Sequence, residues 1–179
     1  QMIEVFKSAF TELEPRAAVV PAPKTSDKQL LAVYPLIDWH VGLMSWAKET
    51  GENYDLKIAR ETIMPKMRQL IAATPPADEA VILGIGDLLH WDGFVQETPA
   101  SKHPLDGDGR YPKVLETALD MVEETIELAL ARHRRVTIRI LRGNHDPVSS
   151  VAIAAVLARV FRANKRVTVD ADQSYHWWL

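Results

Sequence analysis

Arg135-Val136-Thr137-Ile138-Arg139-Ile140-Leu141-Arg142-Gly143-Asn144-His145-Asp146-Pro147 is the stretch on which the reading of this chain turns. Its first half is short, β-branched and aliphatic, as a buried strand is. Gly143 breaks the run, and a polar Asn-His-Asp triplet follows before Pro147, a residue favoured at the first position of a helix. The segment therefore reads as a strand over Arg135–Leu141, a tight polar turn, and a helix from about Val148 to Arg162.

The same alternation continues on both sides. Leu30–Ile37 and Ala80–Ile85 are apolar runs stopped by Asp38 and by Gly86-Asp87, and Val167–Val169 opens a fourth strand. Between them, Asn53–Ala73 repeats Leu56, Ala59, Ile63, Met67 and Leu70 at helical spacing, with a kink or break expected near Met64 because of Pro65. The next helix carries Leu115, Leu119, Val122, Ile126 and Leu130 on one stripe, with Glu116, Asp120, Glu123 and Glu127 opposite. Trp91–Arg110 is a loop rich in Gly, Pro and Asp. Strands alternating with helices predict an α/β fold, a mostly parallel β-sheet flanked by helices. Residues 1–29 read as an N-terminal arm and polar linker, and residues 30–179 as the α/β domain.

In such sheets the sites form at the carboxyl ends of the strands. The first strand ends Asp38-Trp39-His40-Val41-Gly42. Asp38 and His40 share a side if the chain stays extended, so a carboxylate and an imidazole can reach one cation. The second ends Gly86-Asp87-Leu88-Leu89-His90, and a carboxylate after a glycine approaches a ligand unobstructed and can bridge two cations. In the third, Asn144 offers a neutral oxygen to a metal and His145 a proton. Asp146 has two readings, a helix N-cap before Pro147 or a member of the site.

Taken in order, Asp38-Trp39-His40-Val41-Gly42, Gly86-Asp87 and Gly143-Asn144-His145-Asp146 resemble the calcineurin-like metallophosphoesterase superfamily, whose pattern is D-x-H-x-G, G-D and G-N-H-[DE], then a lone His and G-H-x-H. Glu49–Asp55 and Asp108-Gly109-Arg110-Tyr111 look like bacteriophage members described as related to DNA-repair exonucleases. The resemblance implies one half of a four-layer α/β-β/α sandwich. It also implies two divalent ions, manganese first with iron or zinc as alternatives: Asp38 and His40 on the first, Asp87 bridging, Asn144 on the second. His145 would serve the leaving oxygen, and the activity would be hydrolysis of a phosphate ester, a phosphodiester such as DNA, by a two-metal activated hydroxide.

The pattern then departs from the family. No Gly-His pair follows Asp146, and the one later histidine, His176, lacks the glycine context, so it is not expected to be a ligand. The chain thus supplies parts of both metal sites and completes neither, and little turnover is expected of it. The rival expectation is a catalytically incomplete module that binds a partner. On either reading, Trp177 and Trp178 suggest a surface for the missing half of the domain or for another protein.

His90, three residues after Asp87, and Asp146 are expected to support the ligands from behind. Arg142, at the exit of the third strand, and Arg110 are candidates for contacting an anionic substrate, with Lys102, His103 and Lys113 weaker candidates on the same loop. Arg132-His133-Arg134-Arg135 falls at the opposite edge of the sheet, away from the motifs. Asp106-Gly107-Asp108-Gly109 lacks the third acid and closing Glu of a calcium loop.

Composition narrows the classes further. The 179 residues are 47% hydrophobic with a net charge of -3, which supports a core but no global basic field for nucleic acid. Without cysteine, disulfides and thiolate metal sites are excluded. No apolar run approaches a membrane span and no signal-peptide pattern opens the chain, so a cytoplasmic protein is expected. Neither a P-loop nor a G-x-G-x-x-G turn between strand and helix is present, and no serine nucleophile elbow.

Overall fold

The computed structural model describes residues 19–172 and 174. Most of the expected arm, His176, Trp177 and Trp178 lie outside these residues. The elements follow the order β1 (Asp27–Leu36), α1 (Ala47–Thr50), α2 (Leu56–Ala73), β2 (Ala77–Gly84), α3 (Tyr111–Arg132), β3 (Arg135–Ile140), α4 (Ser149–Val160) and β4 (Val167–Asp170). The strands form a four-stranded parallel sheet in the order β1-β2-β3-β4. The α/β class with a parallel sheet and flanking helices is as the sequence predicts. The first strand starts at Asp27 rather than Leu30, because Asp27 N–H donates to Pro76 O and pairs opposite Ala77.

Sequential parallel strands joined by right-handed crossovers place every connecting helix on one face. The register shows that face as rows across the sheet: Ala32, Ala80, Val136 and Val167, then Tyr34, Ile82, Ile138 and Val169, then Leu36, Gly84 and Ile140. Nearly all of these are buried, and α3 packs on β2 and β3, α4 on β3 and β4, and α2 on α3. On the other face Leu31, Val33, Ile37 and Ile85 stay about half exposed. Arg139 on that face is fully buried and pairs Asp170 at 2.8 Å. One helix-backed parallel sheet of this kind is the layer pair that a four-layer metallophosphoesterase sandwich contains.

Two helices bury a slightly different stripe from the one their periodicity suggests. α2 buries Leu56, Ala59, Met64, Met67 and Ile71 and leaves Leu70 exposed, and α3 buries Val114, Ala118 and Met121 in place of Leu115 and Leu119. α2 also runs through Pro65 without a break. Pro65 is exposed, so the Glu61 carbonyl that loses its helical partner can bond water instead. Among the described residues no helix is long and apolar enough to cross a membrane.

A buried polar pair ties the amino-terminal half of the sheet to the end of α3. Ala77 O can only accept, so His133 Nδ1–H donates to it (2.8 Å), and Nε2 is left to accept from the Tyr34 hydroxyl at 2.6 Å. Burial holds the His133 pKa below 6.5, and the neighbouring Arg132 guanidinium acts in the same direction. Arg166, whose guanidinium bonds His133 O at 2.7 Å, adds a second cation nearby. Below about pH 6.5 the unfolded chain therefore takes up this proton before the folded one. Stability is fully present above that pH and falls as pH drops towards the folded-state value, by up to about 1.4 kcal/mol per pH unit from this group. Urea unfolding between pH 7.5 and 5 is expected to show that slope, reduced in His133→Gln; equal slopes would remove His133 from the account.

Candidate metal centre

The site is built by main-chain pairing that continues past the strand ends. Ile85 N–H donates to Leu36 O (2.9 Å), His40 N–H to Asp87 O (3.0 Å), Val41 N–H to Leu88 O (2.8 Å) and His90 N–H to Val41 O (3.1 Å). The loops after β1 and β2 are thereby zipped side by side. The chain through the first motif is not extended, however. Asp38, His40 and Asp87 have φ of 50°, 42° and 54°, in the left-handed region, so spacing along an extended chain is not what brings Asp38 and His40 together. These are uncommon conformations for residues other than glycine, each costing roughly 1–2 kcal/mol. Such strain persists where the surroundings over-determine it, and it clusters at functional sites.

Asp146 supplies much of that determination. It is fully buried, and its carboxylate accepts from Asp87 N–H (3.2 Å), Gly143 N–H (3.1 Å) and Leu89 N–H (3.1 Å). Burial pushes its pKa up, and the bonds from the Leu89 and Gly143 amides pull the other way. Its side chain therefore does not cap the helix: the carboxylate turns inward and fastens the second motif to the third. The amino end of α4 is capped instead by Asp92, which accepts from Val148 N–H (2.6 Å) and Ser149 N–H (3.0 Å). Asp92 carries no motif, and its partners lie 56 and 57 residues away, so nothing local announces it.

Asp87 in turn positions His145, whose N–H donates to Asp87 Oδ1 at 2.8 Å. The His145 Nδ1–H donates to His90 O at 2.7 Å, which orients the ring and leaves Nε2 as its second reactive atom. The ligand atoms of Asp38, His40 and Asp87 all lie within 4.8 Å of one another, and so do those of His40, His90 and His145. Burial lowers the pKa of His40, with His145 adding to the effect, and lowers that of His90 to about 4, with His40 adding to it. Neutral imidazoles beside two carboxylates are donors ready for a cation. The His90 side chain faces His40, nitrogen to nitrogen at 3.2 Å.

The other expected residues are distributed unevenly. Asn144 is exposed between Gly143 and His145, and Arg142 sits half-buried beside them. Arg110 is exposed at the start of α3. Lys102 is drawn to Glu97 at 2.8 Å, and the exposed His103 is tied by its backbone to Thr98, so neither is gathered into the cluster. The loop from Trp91 to Arg110 is better anchored than its composition suggests. Trp91 is buried, and a Cβ on Gly42 or Gly107 would sit 2.7 or 2.5 Å from its ring, so both glycines are required by close approach. Asp108 accepts from Leu56 N–H at 2.9 Å, a structural use that agrees with rejecting a calcium loop. Arg134 and Arg135 pair with Asp78, at the edge opposite the site.

Comparison with protein-family models, with curated proteins and with solved structures gives no significant match. The assignment rests on the chain's own geometry. Two carboxylates and an imidazole within reach of one point form an oxygen–nitrogen donor set that fits a divalent transition ion. The fold resembles that of the calcineurin-like metallophosphoesterases, and the two His/Asp clusters are consistent with a bimetal active site.

Proposed function

We propose that this protein is a metal-dependent phosphoesterase acting on a phosphodiester such as DNA, with Asp38, His40, Asp87 and Asn144 as metal ligands. The observation that carries the reading is the convergence of Asp38, His40 and Asp87, all in left-handed backbone conformations, at the carboxyl ends of two neighbouring parallel strands. A merely structural turn has no reason to accumulate three such residues. The ions, manganese first, supply Lewis-acid charge at the phosphate and lower the pKa of water when bound.

The chain's own residues do the rest. Asp87 is grouped with Asp38 and His40 and also accepts from His145 N–H, so one carboxylate joins metal binding to the residue that carries proton transfer. His145 has its Nδ1 proton committed to His90 O, so Nε2 is the atom that holds a proton for the departing oxygen. Arg142, beside Gly143, neutralises the phosphate, and Arg110 approaches it from the start of α3. Buried Asp146 keeps the second and third motifs in register without touching substrate.

The test compares wild type and Asp87→Ala for Mn²⁺ binding by electron paramagnetic resonance and for hydrolysis of bis-p-nitrophenyl phosphate and linear DNA. Loss of Asp87 is expected to cost at least the 10²–10³-fold (order of magnitude) of a single preorganised electrostatic contact. Equal Mn²⁺ binding and equal turnover in the two proteins would refute the site. Mn²⁺ binding that depends on Asp87 without turnover of either ester would instead favour a binding module.

A further inference from the structure

The nitrogen-to-nitrogen contact of His90 and His40 is not needed to position Asp87, and the metal ligands proposed above do not include His90. The two Nδ1 atoms are 3.2 Å apart, the rings are close to perpendicular, and both residues lie on loops zipped together by backbone bonds. Two imidazole nitrogens bound to one tetrahedral ion at about 2.0–2.1 Å are about 3.3–3.4 Å apart, and about 2.9 Å apart as octahedral neighbours. The observed separation falls between these. His145 completes the group: its ring lies 4.7 Å from that of His40 and 5.5 Å from that of His90, centre to centre. Its Nδ1–H is spent on His90 O, so Nε2 is the nitrogen it can offer.

We propose that His40, His90 and His145 form a second metal site, an all-imidazole pocket selective for borderline ions such as Zn²⁺ or Co²⁺ and distinct from the carboxylate-containing centre. Three histidines with a remaining open position are a donor set that zinc accepts readily, whereas Mg²⁺ and Mn²⁺ prefer oxygen. The pocket shares His40 with the proposed phosphoesterase centre and takes the one His145 nitrogen that faces away from His90 O. Loading it therefore withdraws His145 from proton transfer, and zinc acts at this site as an inhibitor.

The test needs no turnover, so it stands or falls separately from the phosphodiester reading. Zn²⁺ is titrated calorimetrically into the whole chain free of other divalent ions, and Co²⁺ binding is followed by its visible absorption, which is intense for four-coordinate and weak for six-coordinate oxygen-rich sites. The variants are His90→Asn, His90→Gln and the double variant Asp38→Asn/Asp87→Asn, with circular dichroism confirming folding. Asn at position 87 keeps the oxygen that accepts from His145 N–H. The double variant is expected to retain zinc affinity within about tenfold and the intense cobalt bands. Both His90 variants are expected to bind zinc at least about tenfold more weakly, since even supporting residues around a metal contribute 10–100-fold. Zinc binding unchanged by His90→Asn and His90→Gln, or abolished in the folded double variant, would overturn the proposal. So would a wild-type chain that takes up no zinc, which would make the His40–His90 contact a plain N–H···N hydrogen bond.

Discussion

Gly143→Ala is expected to be the most damaging single substitution in the chain, lowering stability by about 3–5 kcal/mol and removing Mn²⁺ binding with it. A Cβ at this position would run into Asp87 Oδ1 and the Asp87 backbone nitrogen, and would lie 2.5 Å from Asp146 Oδ1. None of these atoms can retreat cheaply. Asp87 Oδ1 is held by His145 N–H, the Asp87 amide by Asp146, and Asp146 is itself fully buried. Gly86 is equally close from the other side, since a Cβ there would sit 2.8 Å from Gly143 Cα. The two glycine-bearing turns thus meet backbone to backbone, and an added methyl must push the second motif away from the third. For a chain of this size the loss corresponds to a fall in melting temperature of roughly 10 °C. A melting temperature within a degree or two of wild type would show that the two turns can separate without cost.

Asp146→Ala is expected to follow closely, at about 2–4 kcal/mol, through a different mechanism. Removing the carboxylate leaves the amides of Asp87, Leu89 and Gly143 without their acceptor in a dry interior, each at about 1–3 kcal/mol. The cost is tempered because a buried carboxylate is itself expensive, as the upward push on its pKa shows. Asp146→Asn should accordingly be milder: one amide oxygen still accepts, but its NH₂ group must face at least one N–H. Urea unfolding of the two variants should rank Ala below Asn. The reverse order would mean that the charge, rather than the acceptor geometry, is what the site requires. Because Asp146 works through Asp87 and Gly143, both variants should also weaken Mn²⁺ binding, whereas Tyr34→Phe, a core change that removes only the hydroxyl bonded to His133, should leave it unaltered.

Much of this arrangement is legible in the amino-acid sequence because it is local. The apolar runs at Leu30–Ile37, Ala80–Ile85 and Arg135–Leu141 are strands, and each ends two or three residues before the glycine or acid that the pattern marks. The helices at Leu56–Ala73 and Tyr111–Arg132 follow from a 3.6-residue period that no distant contact is needed to see. Period and punctuation together place Asp38, His40, Asp87 and His145 at one edge of one sheet, and the ordered motifs carry the resemblance to metallophosphoesterases.

What only the tertiary structure decided depends on partners 50 or more residues apart, which no window of sequence contains. Asp146 reads locally as a helix cap, yet the amides of Asp87 and Leu89, 59 and 57 residues away, draw its carboxylate into the core. The vacated cap is filled by Asp92 from the loop after β2. His90, legible as a loop histidine near Asp87, meets His40 because backbone pairing between the two loops brings their Nδ1 atoms together. The left-handed backbone at Asp38, His40 and Asp87 belongs to the same class: each residue alone favours another conformation, and the assembled loops hold it where it is. Sequence determined which chemical groups reach the sheet edge. Long-range hydrogen bonds determined which way each one points, because a side chain's direction is set by whatever acceptor or donor the fold brings opposite it.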